Sequence, residues 1–121
     1  MSEQRIIIEM GMGNDQYGMD YTKAAARAIE DAIRHSSLPI FDALPLTHAD
    51  MRVQVTVGVQ EPDKVDTDAL VACLPRGIVT VKAVKGGLNT AKNASGNVIV
   101  IASAAVEAFL PSQVGNYRIG D

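Results

Sequence analysis

The order of apolar and polar residues along the chain predicts four β-strands. Residues 51–59 carry methionine or valine at every odd position and polar residues or glycine between them, so one face of this strand is expected to be buried. Residues 78–85 alternate in a similar way. The nearly continuous apolar runs 6–10 and 98–102 are typical of strands that are covered on both faces.

Two segments between these strands have the spacing of helices. Tyrosine, alanine and isoleucine recur every three or four residues over 21–33, and Asp20 in front of them is a preferred N-cap residue, so an amphipathic helix is expected there. A shorter helix is predicted over 67–74, with Asp66 as its N-cap. The alanines of the first helix should let it lie close to a sheet.

Glycines and alanines set the ends of the outer elements. Gly11 and Gly13 follow the first apolar run and are expected to end its strand. The segment 103–110 suits a helix because of its alanines and a strand because of its alternation, and we favour a strand that continues past a bulge. Residues 111–121 have no periodicity and predict a C-terminal arm.

The order strand, helix, strand, helix, strand, strand predicts an α/β fold (α+β mixed) with a four-stranded mixed sheet, in one domain over residues 1–121. A right-handed crossover would make the first two strands parallel, and the last two strands are expected to form an antiparallel hairpin. The two helices can cover only one face of this sheet. The other face is therefore expected to lie in an interface between copies, which predicts a homo-oligomer.

The charge balance excludes two classes of partner. Eleven Lys and Arg against fourteen Asp and Glu give a net charge of −3 with scattered basic residues, so neither nucleic acid nor a membrane surface is expected. The N-terminus lacks the pattern of a signal peptide, and no apolar run approaches the roughly 20 residues of a membrane span. The single cysteine, Cys73, lies among apolar residues and is expected to be a buried structural thiol. We therefore expect a cytoplasmic protein.

The turn after the first strand has the composition of a binding loop without the spacing of a known one. Gly11 and Gly13 are followed by Gln16 where a dinucleotide fingerprint has glycine, and no phosphate-loop lysine pattern follows. Asp15 and Asp20 could offer oxygen ligands to a divalent cation, but their spacing fits no calcium loop. We expect the two aspartates to serve the turn and the helix cap, and we expect neither a metal ion nor a cofactor.

Lys23 lacks an obvious stabilising role, because a cation in the first turn of a helix opposes the helix dipole. Together with the free backbone amides of that turn, and with Gly11, Gly13 and Asp20 nearby, it could bind a carboxylate or another anion. The alternative is a capped helix with a solvated Lys23.

A second candidate site lies at the end of the third strand. Gly86 and Gly87 would let backbone amides approach a ligand closely, and Lys82 and Lys85 would supply positive charge from opposite faces of the strand. The alternative is a solvated strand end followed by a flexible hairpin.

Three residues are candidates for proton transfer or nucleophilic attack. His48, beside Asp50, is the better placed of the two histidines for moving a proton, with an ordinary surface histidine as the alternative. Asp15 is the other candidate proton carrier. Ser103 would act as a nucleophile only if Lys85 or His48 lay beside it.

The sequence resembles a family of small conserved bacterial proteins of unassigned function, known from Listeria genomes. Three stretches carry the resemblance, and it extends over about residues 5–110. It implies no activity, because the family has none assigned. The stretches are Gly11–Asp15, Gly18–Ala28 and Val84–Gly87.

A weaker similarity is to one repeat of the ring-opening amidohydrolases, cyanuric acid hydrolase and barbiturase. In those enzymes a repeat contributes a lysine and a Ser-Gly-Gly element. Here Lys85 directly precedes Gly86 and Gly87, so the nucleophilic serine is missing and hydrolysis is in doubt. What the resemblance implies is architectural, because a chain of one repeat would form a trimer or larger ring to build a comparable site.

The sequence therefore predicts a homo-oligomer that binds a small polar or anionic metabolite in a cleft between subunits. The cleft would be formed by the Gly11–Lys23 turn and the Lys85–Gly87 strand end. As an enzyme it would hydrolyse or tautomerise a cyclic amide, with Lys85 or Lys23 stabilising charge and His48 or Asp15 carrying the proton. The alternative is a non-catalytic oligomeric binding or scaffold protein.

Overall fold

The computed structural model describes residues 3–34, 51–74 and 77–111. It confirms the mixed α/β fold, with five strands in the sheet where four were predicted. No helix within these residues is long and apolar enough to cross a membrane. The elements in chain order are β1 (Glu3–Asp15), α1 (Tyr21–Arg34), β2 (Arg52–Val59), a 3-10 turn (Pro62–Lys64), α2 (Thr67–Val71), β3 (Ile78–Lys85), β4 (Leu88–Asn89) and β5 (Val100–Pro111).

The sheet has the order β1-β5-β2-β3, and the short strand β4 pairs with β5. Strand β5 runs antiparallel to both β1 and β2, whereas β2 and β3 are parallel. The first two strands therefore run in the same direction, as predicted, with β5 between them. The predicted antiparallel hairpin of the last two long strands is wrong. Strand β5 pairs with β1 on one side and with β2 on the other, so β2 separates it from β3, and its alternate residues are buried in the core.

Strand β1 does not end at its glycines but continues through them to Asp15. Gly11 and Gly13 lie directly beneath α1. A Cβ atom at Gly11 would approach the Ala28 carbonyl oxygen to 2.5 Å, and one at Gly13 would approach the Ala24 oxygen to 2.6 Å. These glycines are needed for close helix packing rather than for a turn.

The two helices have the N-caps that the sequence predicts. The Lys23 amide donates to Asp20 Oδ1 at 3.0 Å at the start of α1, and the Ala69 amide donates to Asp66 Oδ1 at 3.1 Å at the start of α2. Helix α2 ends at Val71, earlier than predicted. The segment 103–110 is strand, as favoured, within the single strand β5.

The core lies between the helices and one face of the sheet. Alanines and Ile29 of α1 pack against the odd residues of β2, the even residues of β5 and Leu70 of α2. The other face, here called the open face, exposes Ile8, Met10 and Met12 of β1 by 46%, 72% and 64%. Its burial in a subunit interface stays a prediction. Of the predicted C-terminal arm 111–121, Pro111 is the last residue of β5, and the rest of the arm and His48 lie outside the described residues.

Gly13→Ala should destabilise the protein by about 3 kcal/mol, because the added methyl group would have to displace the backbone of α1. The matched control is Asn14→Ala, an exposed position on the same strand, which should change the free energy of unfolding by less than about 0.5 kcal/mol. Urea unfolding of both variants measures the difference. Equal stability of the two variants would show that the helix does not depend on this glycine.

Candidate functional site

The strand registers place the open-face side chains in rows that run across the sheet. In two of these rows, large side chains stand on the outer strands β1 and β3, and small ones stand on the central strands β5 and β2. One row is Met10, Ala105, Thr56 and Lys82, and the next is Met12, Ser103, Gly58 and Val84.

This difference in size makes a groove of about 660 Å³ on the open face. Its floor is formed by the small residues of β5 and β2, and Met10 and Met12 form the wall on the β1 side. Lys85 and Gly86 form the wall at the end of β3, and Asp31 of α1 reaches the groove beside β1. The other lining residues are Gly11, Thr56, Gly58, Val84, Ser103, Ala104 and Ala105.

Three glycines allow the chain to pass close over the end of β2. A Cβ atom at Gly58 would lie 2.8 Å from Ser103 Oγ and 3.3 Å from Gly86 Cα. Gly87 has a φ of +63°, a conformation that favours glycine. The Gln60 side-chain amide holds this crossing by donating to the carbonyl oxygens of Gly86 and Gly87 at 3.1 and 3.2 Å.

Lys85 lines the groove and Lys82 lies beside it on β3, and neither lysine has a carboxylate partner among the described residues. Lys82 is next to Thr56 in the β2–β3 register and shares its open face, whereas Lys85 is next to the buried Val59. The two side chains therefore leave opposite faces of β3, and both are exposed. By contrast, Lys64 Nζ lies 3.3 Å from Glu61 Oε1. Unpaired ammonium groups beside a concave surface favour an anionic or polar ligand.

Asp15 is 3% exposed at the end of β1, and its carboxylate faces two cations. Its Oδ1 atom lies 3.9 Å from Lys23 Nζ and 3.8 Å from Arg27 Nη1, and its Oδ2 atom accepts from the Asp20 amide at 2.9 Å. Lys23 therefore does have a stabilising partner, which the sequence did not indicate. Its unfavourable position in the helix dipole is offset by the buried carboxylate.

The predicted site residues fall into two groups within one chain. Gly11, Lys85 and Gly86 line the groove, whereas Asp15 and the residues around it lie at the start of α1. Three strand spacings separate β1 from β3, which puts the two strand ends roughly 14 Å apart. Gly13 faces α1 rather than a ligand. The roles of all these residues stay predictions.

A polar network at the same end of the sheet was not predicted. The Tyr21 hydroxyl donates to Glu61 Oε2 at 2.7 Å and accepts from Asn89 Nδ2 at 2.8 Å. Burial, and then the hydrogen bond to Glu61, raise the pKa of the Tyr21 phenol. The hydrogen bond from Tyr21, followed by that from Lys64, lowers the pKa of Glu61. No sequence spacing links these residues, which come from three separate elements.

The described residues contain no group of three or more His, Cys, Asp or Glu that could hold a metal ion. Cys73 is partly buried, and burial raises the pKa of its thiol, with a smaller contribution from the charge of Glu30. A raised pKa keeps the thiol protonated and unreactive, which agrees with a structural role.

Tyr21→Phe should reduce the dependence of stability on pH at both extremes. Because folding lowers the pKa of Glu61, its stabilising effect is present above its usual value of 4.5 and is lost as the pH falls through the folded value. Because folding raises the pKa of Tyr21, its effect is present below 10.0 and is lost as the pH rises through the folded value.

Urea unfolding over the acid and alkaline ranges checks this prediction, with the exposed Tyr17→Phe as control. Tyr21→Phe should flatten both pH slopes, and Tyr17→Phe should keep them. Identical slopes in the two variants would contradict the assigned network.

Comparison with known proteins agrees with the first resemblance. Residues 5–108 match the model of a family described as "Conserved hypothetical protein (Lin0512_fam)". No curated protein matches the chain. A solved structure, an FtsZ-like protein of unknown function from Nostoc punctiforme, is 36% identical with a TM-score of 0.83, over 93% of this chain and 99% of that one.

These comparisons do not support the weaker similarity to ring-opening amidohydrolases, which stays a prediction. The family match spans most of the chain, and the Nostoc structure has both the fold and a substantial share of the sequence. The chain therefore belongs to the conserved hypothetical protein family Lin0512_fam.

Proposed function

We propose that the protein is a homo-oligomer that binds a small polar or anionic metabolite in the open-face groove. The observation that carries the proposal is the groove itself, about 660 Å³ in volume and lined at the end of β3 by Lys85, which has no carboxylate partner among the described residues. Ligand sites of proteins are commonly about 300–1,000 Å³ and combine apolar walls with a few polar groups. Methionine walls and a floor with two hydroxyls match that description.

The groove offers polar groups at its floor and at one wall. Thr56 and Ser103 each have a hydroxyl that can donate or accept a hydrogen bond, and Lys85 offers an ammonium group. These groups suit a ligand that carries oxygen acceptors. A side chain at Gly58 would collide with Ser103, so glycine at this position keeps the floor of the groove open.

A second copy is part of the proposal because the open face is apolar along β1. Ile8, Met10 and Met12 are all exposed in the single chain, and such strips commonly mark subunit contacts. The ends of β1 and β3 lie at opposite borders of the sheet but at the same end of it. A closed head-to-tail ring would bring Asp15 and Lys23 of one copy beside Lys85 of the next.

The catalytic form of this proposal is hydrolysis or tautomerisation of a cyclic amide. It is favoured by one feature, namely that Ser103 and Lys85 line the same groove. Lys85 would stabilise developing negative charge on the amide oxygen. Asp15 is paired with Lys23 and Arg27 within its own chain, so its use as a proton carrier would require a change in that pairing.

The competing proposal is a non-catalytic scaffold in which the same residues serve only packing. It is favoured by Gly11 and Gly13, because their contact with α1 already explains why these positions are glycine. In that case the methionines would contact a partner copy and the groove would be filled by its side chains.

Light scattering and thermal shift together test the proposal. We expect a defined oligomer larger than one chain, and a rise in melting temperature with small cyclic amides or carboxylates that Lys85→Ala abolishes. Lys92→Ala is the matched control, because Lys92 is also exposed but does not line the groove.

Each outcome separates the alternatives. A strict monomer would remove the role of a second copy. A defined oligomer that responds to no ligand, with Lys85→Ala behaving like Lys92→Ala, would contradict ligand binding and favour the scaffold.

A further inference from the structure

We infer that the outer edge of β1 pairs with the same edge of a second copy, in an antiparallel two-fold contact centred on Glu9. Strand β1 lies at one border of the sheet and pairs only with β5 among the described strands. The contact uses the edge of the sheet, so it goes beyond the open-face groove of the proposed function. Each copy offers the same strand, which makes the contact self-complementary.

Two side chains of α1 show which backbone groups of β1 point outward. The Met12 amide donates to Asp31 Oδ2 at 3.0 Å, and the Asn14 carbonyl oxygen accepts from Arg27 Nη1 at 2.6 Å. The N–H and C=O groups of one residue point to the same side of an antiparallel strand. The even residues upstream on β1 therefore also direct their backbone groups away from β5.

Ile8 and Met10 have no partner for these outward groups within the described residues. Their side chains are exposed by 46% and 72%, and an exposed apolar edge is prone to pair with another strand. The β1–β5 register shifts between Arg5 and Ile7, where a bulge bends the strand. The usable edge thus begins after this bulge and ends before Met12, whose amide is already bonded to α1.

A single antiparallel self-pairing fits this short edge. With Glu9 opposite the same residue of the second copy, Ile8 of each copy stands opposite Met10 of the other, and the two exchange both backbone hydrogen bonds. The bulge residue Ile6 of one copy then faces Met12 of the other, so neither interruption has to supply a hydrogen bond. A centre at Ile8 or Met10 would bring the bulge or the bonded Met12 amide into the pairing.

Helix α1 leaves this contact open. It runs from above Gly13 toward the start of β1 and has Ala32 above Gly11. At about 1.5 Å of rise for each helical residue and about 3.4 Å for each strand residue, its end at Arg34 falls near the level of Glu9. A two-fold axis at Glu9 therefore sets the two helices end to end over opposite halves of the paired strands. A centre farther along β1 would make them overlap.

The charge of Glu9 limits the strength of the contact. This partly exposed residue would stand directly opposite the same residue of the second copy. Like charges that oppose each other in an antiparallel pair are destabilising. Glutamate at the centre therefore keeps the association weak and reversible, and an uncharged residue of similar shape should strengthen it.

Amide hydrogen exchange, followed by NMR over a range of protein concentrations, tests the inference. The Ile8 and Met10 amides should exchange at least about tenfold more slowly at high concentration than at low concentration. Two amides of the same strand serve as internal controls. The Met12 amide should be protected at every concentration by its bond to Asp31, and the outward Asn14 amide should be protected at none.

Met10→Pro and Asn14→Pro form a matched pair, because each removes an outward amide from the same edge strand, where proline is tolerated. Met10→Pro should raise the dissociation constant between two copies at least about tenfold, since it removes half of their hydrogen bonds. Asn14→Pro should leave this constant unchanged, and Glu9→Gln should lower it about threefold. Sedimentation velocity measures the constants, and circular dichroism confirms that each variant is folded.

The outcomes separate the edge contact from the proposed function. Ile8 and Met10 amides that exchange as fast as the Asn14 amide in an associated protein would overturn the edge contact and leave the groove and the open-face oligomer standing. Protection of these amides in a monomer would place their partner within the same chain and would also overturn it. A Glu9→Gln variant that associates no more tightly than the native protein would overturn the pairing centred on that residue.

Discussion

The contact between α1 and the glycines of β1 is the constraint on which the rest of the structure depends. Backbone atoms of α1 occupy the places where the side chains of Gly11 and Gly13 would begin. The helix can therefore pack this closely only because both residues are glycine. The buried face of α1 is made of alanines for the same reason. This close packing fixes the helical layer on one face of the sheet and leaves the other face free of the described helices.

Small residues of β5 also determine the shape of the open face. Strand β5 carries alanines toward α1 and alternates them with Ser103 and Ala105 on the other side. Because β5 lies in the middle of the sheet, its small residues make a low floor between the larger side chains of β1 and β3. The groove is thus a consequence of strand order, with Asp31 of α1 at its β1 border and Lys85 at its β3 border.

Local patterns in the sequence predicted the elements well but not their arrangement. Alternation identified β2 and β3, and the two aspartate caps identified both helix starts. The strand order was missed because chain neighbours usually pair, whereas β5 pairs with strands distant in sequence. The sequence predicts that Gly11 and Gly13 end the first strand. Their role in helix packing could not be predicted, because it depends on α1, which follows later in the chain. Lys85 was predicted as a site residue, but its place in one groove with Met10 and Asp31 exists only in the folded sheet.

The proposed function places a second copy over the open face, where it would enclose the ligand groove. Oxidative footprinting of methionines in the native protein tests it most directly, because the single chain has a defined order of exposure. Met10 and Met12 are 72% and 64% exposed, and Met19, before α1, is 39% exposed. If a second copy covers the open face, Met10 and Met12 are oxidised more slowly than Met19. Faster oxidation of Met10 and Met12 than of Met19 at the working concentration would contradict it.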